Sequence, residues 1–515
     1  MLERNLAAGR AAKTAFIDDH GSYTYGELAT RVNRCANALL KLGIEPEQRV
    51  LLCLLDTIDF PTAFLGCIKA GIVPVAANTL LTTKDYDYML RDSRARALVV
   101  SAALVPSFAP LLDNKGSALK HVIVAGGVPG AYEPFARLLA EVDSECAPAD
   151  TTPDDMCFWL YSSGSTGAPK GTIHAQASLI QTAELYARPV LGIQTDDVVF
   201  SAAKLFFAYG LGNALTFPMA VGATAVLMAE RPTPAAVFAR LRQHQPTIFH
   251  GVPTLFAALL ASSDLPRRDE LKLRRCISAG EALPAEIGKR WTQRFGVDIL
   301  DGLGSTEMLH IFLSNRPGEV RYGSSGTPVP GYELRILGDD GAPVAPGQVG
   351  ELQICGPTSA IGYWNNREKS RNTFLGPWTR SGDKYSVDND GFYIYAGRSD
   401  DMLKVGGIYV SPVEVESSLV THPAVLEAAV IGKEDEEQLV KPFAYVVLKS
   451  GRVPSLALAE ELRQHVKSRL APYKYPRWIE FLDELPKTAT GKIQRFKLRA
   501  MVAGAAAHKT RLGDT

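Results

Sequence analysis

The sequence predicts an α/β protein: a large N-terminal domain of α/β subdomains with a small β-rich subdomain, then a small mobile α+β C-terminal domain. Short apolar runs alternate with helix-like segments from about Tyr23 to Val124 and again between Ile180 and Leu300, as in βα units around a parallel sheet. The chain has 515 residues, 46% of them hydrophobic and 21% charged, so it is long enough for two or three globular domains.

Both α/β stretches contain recognisable elements. In the first, "RVLLCLL", "ALVVS" and "HVIVAG" predict buried strands, and "YTYGELATRVNRCANALLKLG" has the apolar spacing of a helix. In the second, "GATAVLM" and "TIFHGVP" predict strands, whereas "PAAVFARLRQHQP" and "VPTLFAALLASS" predict helices bounded by prolines. The two stretches therefore predict one α/β body.

The pattern changes between about residues 323 and 395, where Gly, Pro and Asn-Asp turns separate short strands such as "GELQICGP" and "YSVDNDGFYIYAGR". This texture predicts the β-rich subdomain. The rest of the chain has the pattern of a compact α+β unit of roughly 110 residues. We therefore place a boundary at Ser399–Asp400 and predict domains over 1–399 and 400–515.

Composition limits the partners of this protein. Lys plus Arg (55) equals Asp plus Glu (55), so no net positive charge attracts nucleic acid or anionic lipid. The seven cysteines contain no C-x-x-C pair, which disfavours disulfides or a zinc site. The longest apolar run, "ALTFPMAVGATAVLMA", is too short to span a bilayer, and the first residues lack a signal-peptide pattern. We expect a cytoplasmic monomer or homodimer that binds small molecules and has no nucleic-acid or membrane partner.

The stretch "LYSSGSTGAPKGTIH", from Leu160 to His174, is suited to binding a phosphate. Its glycines allow positive φ angles, and its hydroxyl groups supply hydrogen-bond donors. It is not a Walker A loop, because Pro169 precedes Lys170 and Gly171 follows it. A Gly/Ser-rich run can also be a flexible linker, and this stretch alone leaves that alternative open.

Two more polar stretches follow apolar runs: "SAGEALP" (Ser278–Pro284) and "DGLGSTEMLH" (Asp301–His310). Open α/β sheets bind ligands at the carboxyl ends of their strands, so we expect these stretches to converge with the phosphate loop. Glu307 beside such a loop is suited to holding Mg²⁺, a hard cation that prefers oxygen ligands. Taken alone, Glu307 is more readily explained as an ordinary solvated loop acid.

Together, the ordered motifs "YSSGSTGAPKG", "DGLGSTE", "GELQICGP", "SGD", "GRSDDMLKVGG" and "PKTATGKIQR" resemble the ANL superfamily of adenylate-forming enzymes, which includes acyl- and aryl-CoA synthetases. The resemblance covers nearly the whole chain. Several motifs in one order are far more specific than any single one, so the linker alternative falls away.

The resemblance implies a nucleotide site with a role for each matching position. The residues that would wrap the β- and γ-phosphates are Ser162, Ser163, Gly164, Ser165, Thr166, Gly167 and Lys170. The residues that would frame the adenine are Ser278, Ala279, Gly280, Glu281, Ala282, Asp301 and Gly302. Thr306 would contact the α-phosphate, and Glu307 would hold Mg²⁺. Asp383 and Arg398 would hold the ribose hydroxyls.

The C-terminal motifs imply a reaction in two steps. Lys492 would bridge the acyl carboxylate and the α-phosphate while the carboxylate attacks phosphorus, a step that needs positioning and electrostatics rather than a protein nucleophile. With Thr306 and Glu307, Lys492 completes the implied catalytic set. Gly406 and Gly407 would line the entry path of coenzyme A, and Asp400 would be the hinge between the domains. The implied cofactors are ATP, Mg²⁺ and coenzyme A.

The acyl pocket is predicted from "KLFFAYGLGNALT" and "MLHIF". No acidic residue lies between Lys204 and Thr216, so a buried ammonium would be unpaired and an α-amino acid is disfavoured as substrate. These segments closely resemble the benzoate-CoA ligases. The positions that match their flat pocket for an aromatic acid are Ala208, Tyr209, Gly304, His310 and Ile311. Phe206 and Phe207 are as well explained by packing in the core.

The expected activity is therefore conversion of an aromatic carboxylate, through an aryl adenylate, to an aryl-CoA thioester, with release of AMP and pyrophosphate. One alternative is a CoA ligase for a hydroxy- or aminobenzoate or another small carboxylic acid. Another is a non-catalytic acyl or nucleotide sensor on the same fold. The presence of Glu307 and Lys492 disfavours the sensor.

Overall fold

The computed structural model describes residues 1–112, 118–127, 130, 132–164, 167–399, 401–405, 408–435, 439–471, 473–487 and 493–502. The chain forms two compact units. The first comprises Met1–Tyr322, Gly326–Leu334 and Ile354–Arg380, and the second comprises Gly323–Ser325, Arg335–Gln353 and Ser381–Thr515. The boundary at Ser399–Asp400 stays a prediction, since Asp400 lies outside the described residues.

The α-helices of the described chain include α1 (Leu2–Ala7), α2 (Tyr25–Lys41), α3 (Asp59–Lys69), α4 (Thr83–Ser93), α5 (Val105–Leu112), α6 (Phe135–Ala140), α7 (Ser178–Thr182), α8 (Ala208–Leu211), α9 (Phe217–Val221), α10 (Pro234–His244), α11 (Pro253–Ala261), α12 (Ala285–Phe295), α13 (Arg367–Thr373), α14 (Pro412–Val420) and α15 (Leu456–Lys467). Shorter 3₁₀ turns cover Ala102–Leu104 and Arg268–Glu270, and π-helical segments cover Ala183–Leu191 and Gly212–Thr216. None of the described helices combines the length and apolarity that crossing a membrane requires.

The strands include β1 (Thr14–Asp18), β2 (Gly21–Thr24), β3 (Arg49–Cys53), β4 (Val73–Ala76), β5 (Ala97–Ser101), β6 (His121–Ala125), β7 (Glu133–Pro134), β8 (Met156–Gly164), β9 (Gly167–Ala175), β10 (Val198–Ser201), β11 (Thr224–Val226), β12 (Ile248–Gly251), β13 (Arg275–Ser278), β14 (Ile299–Gly304), β15 (Ile311–Ser314), β16 (Thr327–Pro328), β17 (Glu333–Leu337), β18 (Gly350–Cys355), β19 (Gly362–Tyr363), β20 (Phe374–Leu375), β21 (Trp378–Val387), β22 (Tyr393–Arg398), β23 (Leu403–Val405), β24 (Ile408–Val410), β25 (Val425–Glu434), β26 (Val440–Leu448) and β27 (Trp478–Phe481).

Two mixed sheets organise the first unit. One takes its strands in the order β16-β15-β14-β13-β12-β10-β11-β1-β2, and the other in the order β19-β9-β8-β4-β3-β5-β6-β7. Neighbouring strands from β14 to β1 in the first sheet and from β8 to β7 in the second are parallel. The predicted α/β body is therefore confirmed.

Helix α2 shows how local sequence builds this body. The Thr24 hydroxyl accepts a hydrogen bond from the Glu27 amide (3.1 Å), and the Glu27 carboxylate accepts one from the Thr24 amide (2.7 Å), which caps the helix start. Leu28, Val32 and Leu39 recur at helical spacing and are buried in the core. The helix thus begins at its capping pair and packs along one apolar face.

The second unit contains about half of the β-rich segment together with the C-terminal α+β elements. Strands β21 and β22 form an antiparallel hairpin that pairs Asp383 with Arg398. Downstream, β25 and β26 are antiparallel and β27 joins β26 in parallel. Apolar residues of α14 and α15 share a core with this sheet, among them Val415, Leu419 and Leu462. Both predicted textures are present in the structure.

Candidate active site

The described part of the predicted phosphate loop lies on the β8–β9 hairpin. Antiparallel pairing continues to Ser162 opposite Lys170 and Gly164 opposite Gly167, so these residues belong to strands. The pairing holds Ser162 and Lys170 at the same level of the hairpin. Ser165 and Thr166 lie outside the described residues. Ser163 and Gly164 lie on β8, and Gly167 lies on β9.

The two stretches predicted to frame the adenine lie side by side. Ser278 ends β13 and is paired in register with Asp301 on the parallel strand β14. Asp301 is buried, and this burial raises the pKa of its carboxyl well above the ordinary range. Strand β14 continues to Gly304 rather than ending before Asp301, because Gly302 pairs with Ser314 on β15. The two stretches therefore lie side by side in the fold, and their convergence with the phosphate loop stays a prediction.

The remaining residues predicted to frame the adenine follow β13. Ala279 is buried, whereas Glu281 and Ala282 are half-buried. Gly280 has φ 97°, a left-handed conformation that favours glycine at this turn. The Leu283 amide that follows donates to the Asp301 carboxylate at 3.5 Å, so this turn lies against β14.

Glu307 lies in the half-buried loop after Thr306, and both its side chain and its backbone accept hydrogen bonds. Its carboxylate Oε1 accepts a hydrogen bond from the Tyr363 hydroxyl at 2.8 Å, and its backbone oxygen accepts one from the Ala360 amide at 2.8 Å. The Lys170 Nζ lies 4.6 Å from the centroid of the Tyr363 ring. The Tyr363 side chain therefore contacts both Glu307, the predicted metal ligand, and Lys170, a predicted phosphate ligand.

Sequence reasoning did not identify Tyr363. It stands in "GYWNN" after the β-rich stretch, and an aromatic pair in such a place is ordinarily attributed to the core. The signal that could have found it is the polar hydroxyl of a buried tyrosine, which requires a partner. That partner, Glu307, lies 56 residues earlier in the chain.

The donor set fits a magnesium ion that arrives with its nucleotide. Among the described residues, no group of three or more His, Cys, Asp or Glu side chains could hold a metal by itself. Mg²⁺ in nucleotide enzymes characteristically binds one or two carboxylates together with substrate phosphates. Glu307, next to the hairpin that carries Lys170, is such a carboxylate.

Two of the residues predicted for the acyl pocket, Tyr209 on α8 and His310, belong to one aromatic cluster. The Tyr209 hydroxyl donates to the carbonyl oxygens of Gly251 (3.2 Å) and Ile277 (3.3 Å), at the carboxyl ends of β12 and β13. The His310 ring centroid lies 5.6 Å from that of Tyr209 and 4.5 Å from that of Phe217. The predicted residues Tyr209 and His310 are therefore neighbours in the fold.

His310 is an uncharged member of this cluster. Its Nε2 lies 3.2 Å from the Tyr209 carbonyl oxygen and 3.2 Å from Asn213 Oδ1, so two acceptors make Nε2 the protonated nitrogen. Burial lowers the pKa of His310 to about 3. The ring is neutral at neutral pH and adds no positive charge to the pocket.

Glycines allow the close approaches that shape the cluster. A Cβ atom at Gly304 would lie 2.7 Å from the His310 carbonyl oxygen, and one at Gly212 would lie 2.3 Å from the His310 ring. Gly304 is paired with Ile311, which is buried. The hairpin of β14 and β15 thus brings Gly304, His310 and Ile311 together.

The residues at the start of α8 pack against the core of the first unit. Ala208 is half-buried at the first position of α8 and contacts this core. Phe206 is buried within the core of the first unit, and Phe207 packs against that core while half-buried. Core packing therefore accounts for Phe206.

In the second unit, Asp383 and Arg398 meet across the β21–β22 hairpin. The Arg398 guanidinium donates to Asp383 Oδ1 at 3.2 Å and to the Ser381 carbonyl oxygen at 3.1 Å. Asp383 is buried and Arg398 is exposed. Lys492, Gly406 and Gly407 lie outside the described residues.

The similarity to known proteins extends over nearly the whole chain. The model of the family described as AMP-binding enzyme matches residues 2–364, and that of the AMP-binding enzyme C-terminal domain matches residues 414–492. The chain is 66% identical to a benzoate–CoA ligase of Thauera aromatica, covering 97% of this chain and 95% of the relative. It is 52% identical to a 4-hydroxybenzoate–CoA/benzoate–CoA ligase of Rhodopseudomonas palustris, covering 98% and 93%.

Solved structures show the same likeness. A benzoate CoA ligase from Burkholderia xenovorans LB400 has 60% sequence identity and a TM-score of 0.91, with coverage of 97% of this chain and 98% of that one. The anthranilate CoA ligase AuaEII, in complex with anthranoyl-AMP, has 46% identity and a TM-score of 0.94, with coverage of 98% and 97%.

Proposed function

This chain belongs to the AMP-binding enzyme family, and on that premise we propose that it is an AMP-forming ligase that joins benzoate or a close aromatic acid to coenzyme A. ATP and the acid form an aryl adenylate and pyrophosphate, and coenzyme A then yields the aryl-CoA thioester and AMP. The observation that carries the proposal is the uncharged aromatic cluster of Tyr209 and His310 beside Gly304. Uncharged aromatic side chains suit contact with the ring of an aromatic acid.

We assign separate tasks to separate residues of the proposed nucleotide site, as the family resemblance implies. Lys170 supplies positive charge for the departing phosphates, and Thr306 contacts the α-phosphate. The Ser278–Asp301 pair faces the adenine, and the Asp383–Arg398 pair binds the ribose hydroxyls. Glu307 would hold Mg²⁺ together with the ATP phosphates, and the ion would supply further neutralising charge. Since these groups stabilise developing charge without a covalent step, the substrate carboxylate is itself the nucleophile.

A hydroxylated or aminated ring is the second candidate substrate. It is favoured by the similarity to the Rhodopseudomonas ligase for 4-hydroxybenzoate and benzoate and to the AuaEII anthranilate ligase. A non-catalytic sensor is disfavoured because Glu307 and Lys170 are both present and both contact Tyr363. We place the enzyme in the cytoplasm, as a monomer or homodimer.

The proposed first step predicts exchange of labelled pyrophosphate into ATP. We expect benzoate to drive this exchange in the absence of coenzyme A, because the adenylate forms before the thiol reacts. The measurement is the rate of label incorporation with and without benzoate and with and without coenzyme A. Exchange that appears only with coenzyme A would overturn the two-step scheme.

The aromatic cluster predicts the order of substrates. We expect kcat/KM for benzoate to exceed that for acetate and for long-chain fatty acids by at least about ten-fold, because a pocket lined by Tyr209 and His310 would contact the whole ring of benzoate but little of acetate, and the flat pocket that the resemblance implies would not admit a long chain. AMP release across a panel of acids measures this order, and hydroxy- and aminobenzoates in the panel test the second candidate. Equal or better use of a fatty acid would contradict the aryl assignment.

A further inference from the structure

Tyr363 stands between the two ligand-binding loops of the first unit. It lies on β19, which pairs antiparallel with β9 so that Tyr363 is opposite Thr172. Side chains alternate along a strand, so Lys170 and Thr172 project from the same face of β9. This register brings the Lys170 ammonium to the Tyr363 ring, 4.6 Å from its centroid.

The segment that contains Tyr363 also forms hydrogen bonds with the loop of Glu307. The Tyr363 hydroxyl donates to the Glu307 carboxylate, and the Ala360 amide donates to the Glu307 backbone oxygen, each at 2.8 Å. The Thr358 hydroxyl donates to the next carbonyl oxygen, that of Met308, at 2.7 Å. A short stretch of chain therefore fixes the loop by its backbone and the carboxylate by one hydroxyl.

Tyr363 is anchored independently of Glu307. The Tyr363 backbone amide donates to the Ser370 hydroxyl at 2.9 Å, and the Tyr363 ring centroid lies 5.3 Å from that of Phe374. Its relative exposure is 6%. A change of the hydroxyl alone therefore leaves the ring packed in place.

We propose that Tyr363 is a positioning residue of the nucleotide site: its hydroxyl orients the Glu307 carboxylate, and its ring holds the Lys170 ammonium, so that both charges meet one MgATP in a fixed relation. A hydrogen bond to an ionised carboxylate is among the stronger ones in proteins, and a cation over an aromatic face is attracted by it. The inference rests on the proposed function for the identity of the nucleotide.

The test compares Tyr363→Phe with Tyr86→Phe, whose hydroxyl donates to the Asn78 carbonyl oxygen at 2.9 Å. We expect Tyr363→Phe to weaken MgATP binding by about ten-fold in calorimetric titration and to raise the Mg²⁺ concentration for half-maximal pyrophosphate exchange. The KM for benzoate should stay within about two-fold of the wild-type value. Tyr86→Phe should leave all three quantities unchanged.

A double-mutant cycle with Glu307→Ala shows whether the hydroxyl acts through Glu307. We expect Tyr363→Phe to add no further loss of MgATP affinity once the carboxylate is absent. Additive losses, an equal effect in Tyr86→Phe, or a failure of Tyr363→Phe to fold would each overturn the proposal, the last by assigning the hydroxyl to stability.

The contribution of the ring is tested by Tyr363→Leu. This change also removes the aromatic face beside Lys170, so binding of inorganic pyrophosphate should be weaker than in Tyr363→Phe. Equal affinities would refute the part assigned to Lys170. The binding measurements need no aromatic acid, so a wild-type protein that binds MgATP yet performs no benzoate-driven exchange would refute the proposed substrate alone.

Discussion

We expect Lys492→Ala to slow formation of the aryl adenylate by roughly 10²- to 10³-fold, the characteristic loss for one donor to transition-state charge. Negative charge accumulates between the attacking carboxylate and the α-phosphate, and the resemblance to adenylate-forming enzymes assigns the Lys492 ammonium to that place. Thioester formation from supplied aryl-AMP should remain nearly intact, because the phosphate is then only a leaving group. Single-turnover assays of each half-reaction measure the two rates.

Lys487→Ala is the matched control. The Lys487 Nζ pairs with Glu427 at 2.6 Å, so this variant removes a lysine from the same region without touching the predicted catalytic charge. Both half-reactions should keep their rates within a few-fold. If Lys487→Ala lowers adenylation as much as Lys492→Ala does, the assignment of Lys492 is wrong.

Asp400→Pro should produce the opposite pattern. Proline fixes φ and stiffens the predicted hinge, so adenylation should largely persist while thioester formation is lost. The reasoning is that Lys492 and the Gly406–Gly407 stretch must each act at the same acyl group at different times. Equal impairment of both half-reactions in Lys492→Ala and Asp400→Pro would rule out an alternating C-terminal domain.

The second large effect is expected for Gly210→Ala, which should lower kcat/KM for benzoate by about 10²-fold or more. A Cβ atom at Gly210 would lie 2.0 Å from the Lys204 carbonyl oxygen and 2.6 Å from that of Ala203. Both are backbone atoms, so no side-chain rotation relieves the overlap. Either this backbone or α8, which carries Tyr209, must move.

The backbone around Lys204 is the less movable partner. The Lys204 ammonium donates to the carbonyl oxygens of Met228 and Glu230, and the Leu205 amide donates to the buried Asp56 carboxylate at 3.2 Å. We therefore expect α8 to shift. A displacement of about 1 Å at a residue that positions substrate can cost about 10²-fold in rate.

Gly192→Ala separates this effect from simple destabilisation. Gly192 has φ 61°, and a Cβ atom there would meet nothing within 4 Å. Alanine at this position should therefore lower the free energy of unfolding only by the cost of the left-handed conformation, about 1 kcal/mol. Both variants should lower the thermal midpoint of unfolding, but Gly192→Ala should keep kcat/KM near the wild-type value. A Gly210→Ala enzyme within a few-fold of wild type would show that the pocket tolerates the shift.

The amino-acid sequence was sufficient wherever the signal is local. Apolar periodicity predicts the α/β body, because burial requires side chains to repeat with the period of the element that presents them. The neighbouring placement of Ser278 and Asp301 also follows, since each ends or continues an apolar run and parallel strands bring their carboxyl ends to one edge. The motif order identifies the family for the same reason: each motif is a contiguous stretch.

Tertiary structure alone decided the contacts between distant residues. Tyr363 meets Glu307 across 56 residues of chain and meets Lys170 through the register of β19 on β9. A sequence pattern carries no information about which strand lies opposite which, so the bond was not predictable. The importance of Gly210 was likewise not predictable from the sequence, where it is one glycine among 44. In the fold, α8 approaches the Lys204 backbone at this residue. Hydrogen bonds and close approaches depend on distances in three dimensions, and only the folded chain sets those distances.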